Sequence, residues 1–283
     1  MRKLPVKATA VWGIAKEVRA AAADFCPLLL GGAPAIADAL AGRLTAGGDR
    51  TALRNLSRHE LTAYDLEGAD VLVWAVEGEK PEERDEQAFR LADRKDVAVV
   101  CLLVTPTGRL PEEDLPFVEA TDVIVSRPGE ELPVDEIAAR VADLAGEKNY
   151  ALAAKLPAVR RAVCEEIVRK FARQNGVIGA AVFIPGADLP ALALNQIRMV
   201  LRLAAAHGVE IDRERAPELA AILGASFGLR AVAREALDFV PVLGWAVKGG
   251  VAYAGTKALG EAAIRYFEAG AAKGIAESVR SRS

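Results

Sequence analysis

A glycine pair at the end of an apolar run is the first place in this chain where residue types and spacing suggest chemistry. Phe25-Cys26-Pro27-Leu28-Leu29-Leu30 leads straight into Gly31-Gly32, and the turn after the first strand is where an open α/β sheet places a phosphate-binding loop. The full loop, G-x-x-x-x-G-K-[ST], wraps backbone amides around the phosphates, supplies a lysine to the β and γ positions, and holds magnesium with a hydroxyl. Here the run is Gly31-Gly32-Ala33-Pro34-Ala35-Ile36-Ala37-Asp38-Ala39, so counting from either glycine puts Ala, Asp or Ile where Gly, Lys and Ser/Thr belong. Pro34 removes one cradling amide, and Asp38 would repel a triphosphate. The turn is expected to keep the shape of a nucleotide site without its chemistry, with no nucleotide or other cofactor bound.

The remaining reactive side chains point to structure more than to catalysis. His59 and His207 are the only histidines, and neither has an evident orienting carboxylate and nucleophile beside it. Cys26, Cys101 and Cys164 lie in apolar or helical stretches without paired spacing, so neither a disulfide framework nor a zinc site is indicated. Glu77, Glu79, Glu82, Glu83, Asp85 and Glu86 cluster before and within a helical first turn, where acids complement the macrodipole, and no metal site is expected from them. In the second half Asn195, Arg198 and Arg202 share a helix face, and Arg230 with Arg234 forms a second basic stripe at i, i+4. These five are the candidate interaction face, facing solvent, an acidic protein surface or lipid headgroups.

Elements able to position these residues follow from the apolar pattern. Strands are expected at Cys26–Leu30, Glu60–Tyr64, Val71–Val76, Val97–Val104 and Asp122–Val125, with helices at Ala35–Leu44, Glu82–Arg94 and Pro133–Leu144 between them. Val97 to Val104 is apolar on both faces, as a central parallel strand must be. Beyond about residue 147 helical signals take over: one helix from Pro157 to a stop at Asn175-Gly176, one from Asp188 to His207-Gly208, a third over Pro217–Asp238 and a fourth over Gly244–Ala269. Ala246, Gly250, Ala254, Ala258 and Ala262 recur every fourth residue in the last, a stripe suited to a bundle core or a self-association face. The expected organisation is an amphipathic N-terminal helix (1–24), a mostly parallel α/β domain (25–146) and an all-helical domain (147–283).

Charge divides unevenly along this plan. Residues 1–150 carry 18 Lys+Arg against 27 Asp+Glu, a net −9, and residues 151–283 carry 18 against 12, a net +6. A basic surplus in one half suits an anionic partner: an acidic protein, an anionic membrane surface, or the acidic half of the same chain. No pattern points to nucleic acid. The start of the chain, MRKLPVKATAVWGIAKEV, has basic residues but no sustained apolar core of a signal peptide.

Two stretches of the second half resemble the YcjF-type helical domain of unknown function that follows GTPase-like domains in many bacterial proteins. They are Ile184–Gly208, with Ile184-Pro185, Asp188, Gln196, Met199 and His207-Gly208, and Phe239–Phe267, with Val240-Pro241, Gly244, Thr256, Leu259-Gly260 and Tyr266-Phe267. The resemblance implies a P-loop GTPase-like fold for the preceding domain, and its motifs are degenerate here. Asp65-Leu66-Glu67-Gly68 has the D-x-x-G form of the magnesium motif, with no switch segment between it and the next strand. Thr105-Pro106-Thr107-Gly108 stands where the guanine-reading N-K-x-D should be, and Ser126-Arg127 only echoes the last loop. The expectation is a pseudo-GTPase, not an enzyme: a cytoplasmic scaffold or regulator, peripheral at the inner membrane, with protein partners or self-association through the helical domain. The alternative is a membrane-inserting or membrane-remodelling module using Val177–Leu194 and Phe239–Thr256 as hydrophobic hairpins.

Overall fold

The structure is a computed structural model that describes residues 8–23, 25–111, 115–146, 149–181, 189–209 and 245–280. The chain divides into two compact units, 24–163 and 1–23 with 164–283. Five strands and three helices carry the first: β1 (Leu28–Gly32), α2 (Pro34–Leu44), β2 (Leu53–Asn55), β3 (Val71–Glu77), α3 (Glu83–Arg94), β4 (Ala98–Val104), β5 (Val123–Ser126) and α4 (Val134–Leu144). A short helix, α5 (Asn149–Lys155), follows.

All neighbouring strands pair in parallel, in the order β2-β1-β3-β4-β5. This is one of the doubly wound orders, whose crevice opens between β1 and β3 at the strand carboxyl ends. Both sheet faces must therefore be apolar, and β4 shows it: Val100, Cys101, Leu102 and Leu103 are fully buried, alternating between the faces. One face, with Leu72, Trp74, Val76 and Leu103, packs on Ala88, Phe89 and Ala92 of α3. On the sheet's other contacts, α2 meets β1 and α4 meets β4, and the two helices touch each other. Burying each such Leu or Phe is worth about 1.5–3 kcal/mol, so the sheet does not need its polar turns to hold it together.

The expected α/β domain followed by a helical region is what the chain forms, with strand and helix bounds close to expectation except at the second strand. Glu60–Tyr64 is not a strand. Asp65 accepts from the amide (3.0 Å) and hydroxyl (2.7 Å) of Thr62, a local turn that competes with ladder formation, and Tyr64 is exposed. The strand beside β1 is instead Leu53–Asn55, too short to show an alternating pattern.

The second unit contains α1 (Ala8–Ala23), α7 (Leu189–Ala206) and α8 (Trp245–Arg280), with α6 (Pro157–Ala181) beginning in the first unit and ending in the second. α1 buries Ile14, Ala15 and Val18, and α7 packs against both α1 and α8. The helix expected to stop at Asn175-Gly176 continues to Ala181. Asn175 is bonded across the bundle instead of capping its own helix, and Gly176 lets α8 approach: a Cβ there would lie 3.4 Å from the Gly249 carbonyl, and one on Gly249 would lie 2.9 Å from that of Gly176. On α8 the small-residue stripe Gly250, Ala254, Ala258 and Ala262 is exposed; Gly249, Ala252, Thr256, Ala263 and Phe267 form the buried one. A core role for the expected stripe is thereby corrected. The expected helix Pro217–Asp238 and the segments Ile184–Asp188 and Val240–Gly244 lie outside the described residues. Among the described residues no helix is long and apolar enough to cross a membrane.

Candidate functional site

At the β1 carboxyl end, Gly31 lies in register with Trp74 and Gly32 with Ala75. A Cβ on Gly31 would press on the Trp74 ring, and one on Gly32 (φ 93°) would sit 2.6 Å from the Ala75 amide and closer still to its carbonyl. Both glycines are thus required by the approach of β1 to β3, before any ligand is considered. The Ala33 amide donates to the Ala75 carbonyl at 2.7 Å, and Pro34, in the first turn of α2, has no amide to give. What the helix start still offers are the amides of Ala35 and Ile36.

Asp38, one turn into α2, accepts from Asn55 Nδ2 at 2.8 Å and forms an ion pair with Arg58. The carboxylate that the sequence places near the turn is therefore matched by a cation from the segment after β2. A phosphate approaching here would meet an arginine already engaged by that carboxylate.

Asp65 is buried and engaged at both oxygens: Oδ2 by Thr62, Oδ1 by Arg54, with His59 Nε2 at 3.8 Å. The Thr62 hydroxyl, chiefly, holds its carboxyl below the usual range against the opposing effect of burial. Gly68 closes the same turn at φ 74°. The D-x-x-G residues thus build a turn before β3, in which both Asp65 oxygens accept hydrogen bonds from the protein. The carboxylates after β3 behave likewise, since Asp85 accepts from Trp74 Nε1 (2.8 Å) and the Glu82 amide (3.0 Å). Among the described residues no group of three metal-ligating side chains forms a site.

In the helical unit, Asn195 and Arg202 turn toward α6: Asn195 Nδ2 donates to Asn175 Oδ1 at 3.1 Å, and the Arg202 guanidinium lies 5.3 Å from the Phe171 ring centroid. Arg198 is half-buried, and its buried Nε has no hydrogen-bond partner among the described residues. The stripe is therefore partly built into the bundle. Arg230 and Arg234, the rest of the expected face, lie outside the described residues.

Two constellations were not assembled from the sequence. The first is a fully buried polar set, Asn175, Gln196 and Thr256, in which Thr256 Oγ1 accepts from Asn175 Nδ2 (2.9 Å) and Gln196 Nε2 (3.1 Å) while donating to the Ala252 carbonyl (2.8 Å). The second places Cys164 Sγ 3.9 Å from His207 Nδ1. It is no catalytic dyad, because Nδ1–H donates to the Leu203 carbonyl at 2.8 Å and cannot also serve as a base toward a thiol that is fully buried.

The fold and its sites define a two-part protein: a doubly wound α/β unit with a closed first turn, and a helical region crossed by a buried polar network. Residues 144–281 match the family described as a domain of unknown function, DUF697. No curated protein and no solved structure matches the chain.

Proposed function

We propose that this chain is a non-catalytic interaction protein: a pseudo-GTPase α/β domain joined to a YcjF-type helical domain, acting as a scaffold or regulator at the cytoplasmic face of a membrane, through protein partners or self-association. The observation that carries the reading is the turn after β1. Its glycines are filled by Trp74 and Ala75, its first amide is bonded to Ala75, and its acid is paired with Arg58. A triphosphate there would find two helix-start amides and, in the turn Gly31 to Ala39, no lysine, far short of the electrostatic provision phosphoryl chemistry needs. Isothermal titration with GTP, GDP and ATP in magnesium is expected to give no heat beyond dilution. Micromolar binding at this turn defeats the reading.

A second reading, membrane insertion, draws on exposed apolar side chains in the helical unit. Val177 is 69 % exposed on α6, and Val251 and Tyr253 are exposed on α8, near the point where the two helices approach through Gly176 and Gly249. Such residues would suit contact with acyl chains. Flotation with anionic liposomes separates the readings: an inserting module rises with the lipid through Val177→Asp-sensitive binding, and a scaffold stays behind.

A further inference from the structure

We propose that the cleft between α3 and the segment 57–61 binds a small organic dianion, a phosphomonoester or dicarboxylate with a compact apolar body. The cleft has a volume of about 270 Å³, just below the usual range of about 300–1,000 Å³ for small-molecule sites, which restricts it to a compact ligand. Arg84, Arg90 and Arg94 stand at its wall, opposed by the single carboxylate of Glu60. The local surplus is two positive charges in a half-chain whose net charge is −9, so it runs against the general composition.

These arginines are held ready for a ligand. Arg84 Nη2 donates to the Ser57 carbonyl at 2.8 Å, and its guanidinium lies 5.8 Å from the Trp74 ring centroid. Arg90 lies 5.7 Å from the centroid of Phe117. Among the described residues neither Arg90 nor Arg94 has a carboxylate partner, although acids crowd the start of the same helix. Asp85, bonded to Trp74 Nε1 and the Glu82 amide, spends its oxygens on those two donors and forms no ion pair with the cleft arginines among the described residues. Arg84 and Arg90, each with its guanidinium over an aromatic ring, lose less freedom on binding an anion than mobile lysines would. Leu61 and Leu91, partly buried against the core beside Trp74, give the ligand's body an apolar bed.

The test is a titration of the full chain with phenyl phosphate and with phenylmalonate at about 150 mM salt, where exposed charges are screened, reading the Arg Nε–H and Trp Nε1–H resonances. At least one of the two is expected to saturate with a dissociation constant below about 1 mM, shifting Arg84, Arg90, Arg94 and Trp74. Arg90→Ala with Arg94→Ala, both at exposed positions, is expected to weaken it tenfold or more, and Glu60→Gln to tighten it several-fold by removing the opposing charge. Absence of saturation with both probes, or an affinity unchanged in the double variant, overturns the proposal. The same double variant separates this cleft from the β1 turn: nucleotide binding that survives it belongs to the turn and counts against the pseudo-GTPase reading alone.

Discussion

Asn175 Nδ2 donates to Thr256 Oγ1 at 2.9 Å, joining α6 and α8 across 81 residues of sequence in the buried interior of the helical unit. Thr256 also receives Gln196 from α7, so one hydroxyl satisfies donors from two helices. Thr256→Val should leave both amides buried without an acceptor, costing on the order of 2–4 kcal/mol. Replacing all three, Asn175→Leu with Gln196→Leu and Thr256→Val, should recover part of that loss, because both buried amides are removed together with their acceptor, while the half-buried Asn195 loses the Asn175 oxygen it donates to. Urea midpoints followed by circular dichroism check both. A single variant within about 0.5 kcal/mol of the parent shows that the network is not the helical unit's polar tie.

Gly32→Ala distinguishes packing from ligand binding at the β1 turn. A side chain there adopts φ 93° and collides with Ala75, combining left-handed strain of about 1–2 kcal/mol with overpacking of about 1–3 kcal/mol. Gly68→Ala has a similar φ, 74°, but open space around it, and should cost only the strain. Equal urea midpoints for the two variants contradict a steric role for Gly32.

The sheet was legible because burial writes itself into composition: Val99 to Val104 has one polarity on both faces, and α3 and α4 carry apolar stripes at helical spacing. What escaped were features set by tertiary partners. Leu53–Asn55 is three residues long and is a strand only because β1 lies beside it. Asn175-Gly176 has the composition of a helix stop, yet one side chain is claimed by Thr256 and the missing other by α8. The dianion cleft went unseen because acids dominate the sequence from Glu77 to Glu86, while Arg84, Gln87, Leu91 and Arg94 share a face only once the helix is wound. Asp38 and Asp65 stand out in the sequence as the acids of a degenerate phosphate loop and a D-x-x-G tetrapeptide, but their pairing with Arg58 and Arg54, 20 and 11 residues away, does not show in a motif.

Thiol reactivity follows from burial. Cys101 is fully buried, and its thiol is pushed up to about 12, first by desolvation and then by the charge of Asp85. Cys164 is fully buried as well, and Cys26 is partly exposed. At about pH 8 a thiol reagent should label Cys26 in the native chain, with Cys101 and Cys164 following only on unfolding, since attack requires an accessible thiolate. Rapid native labelling of Cys101, read by peptide mass, contradicts the packing of β4 against α3.

Acid sensitivity should trace to Asp65 more than to the surface pairs. Its folded carboxyl is held low, foremost by the Thr62 hydroxyl; Glu131 is held low by Arg43 and Asp49 by Lys155. A depressed folded value means that the unfolded chain takes up protons first as pH falls. The stabilisation is therefore present above the ordinary carboxylate range, about pH 4, and is lost as pH drops through it toward the folded values. Glu131 and Asp49 are exposed to solvent, so their pairs are screened and weaken with salt. Asp65 is 7 % exposed, so its contribution should survive high salt. Asp65→Asn is expected to be destabilising at neutral pH, with the difference from the parent shrinking as pH falls below about 4. Urea midpoints measured between neutrality and about pH 3, with and without added salt, decide it: a difference that stays constant with pH removes the Asp65 carboxylate as the origin of the acid response.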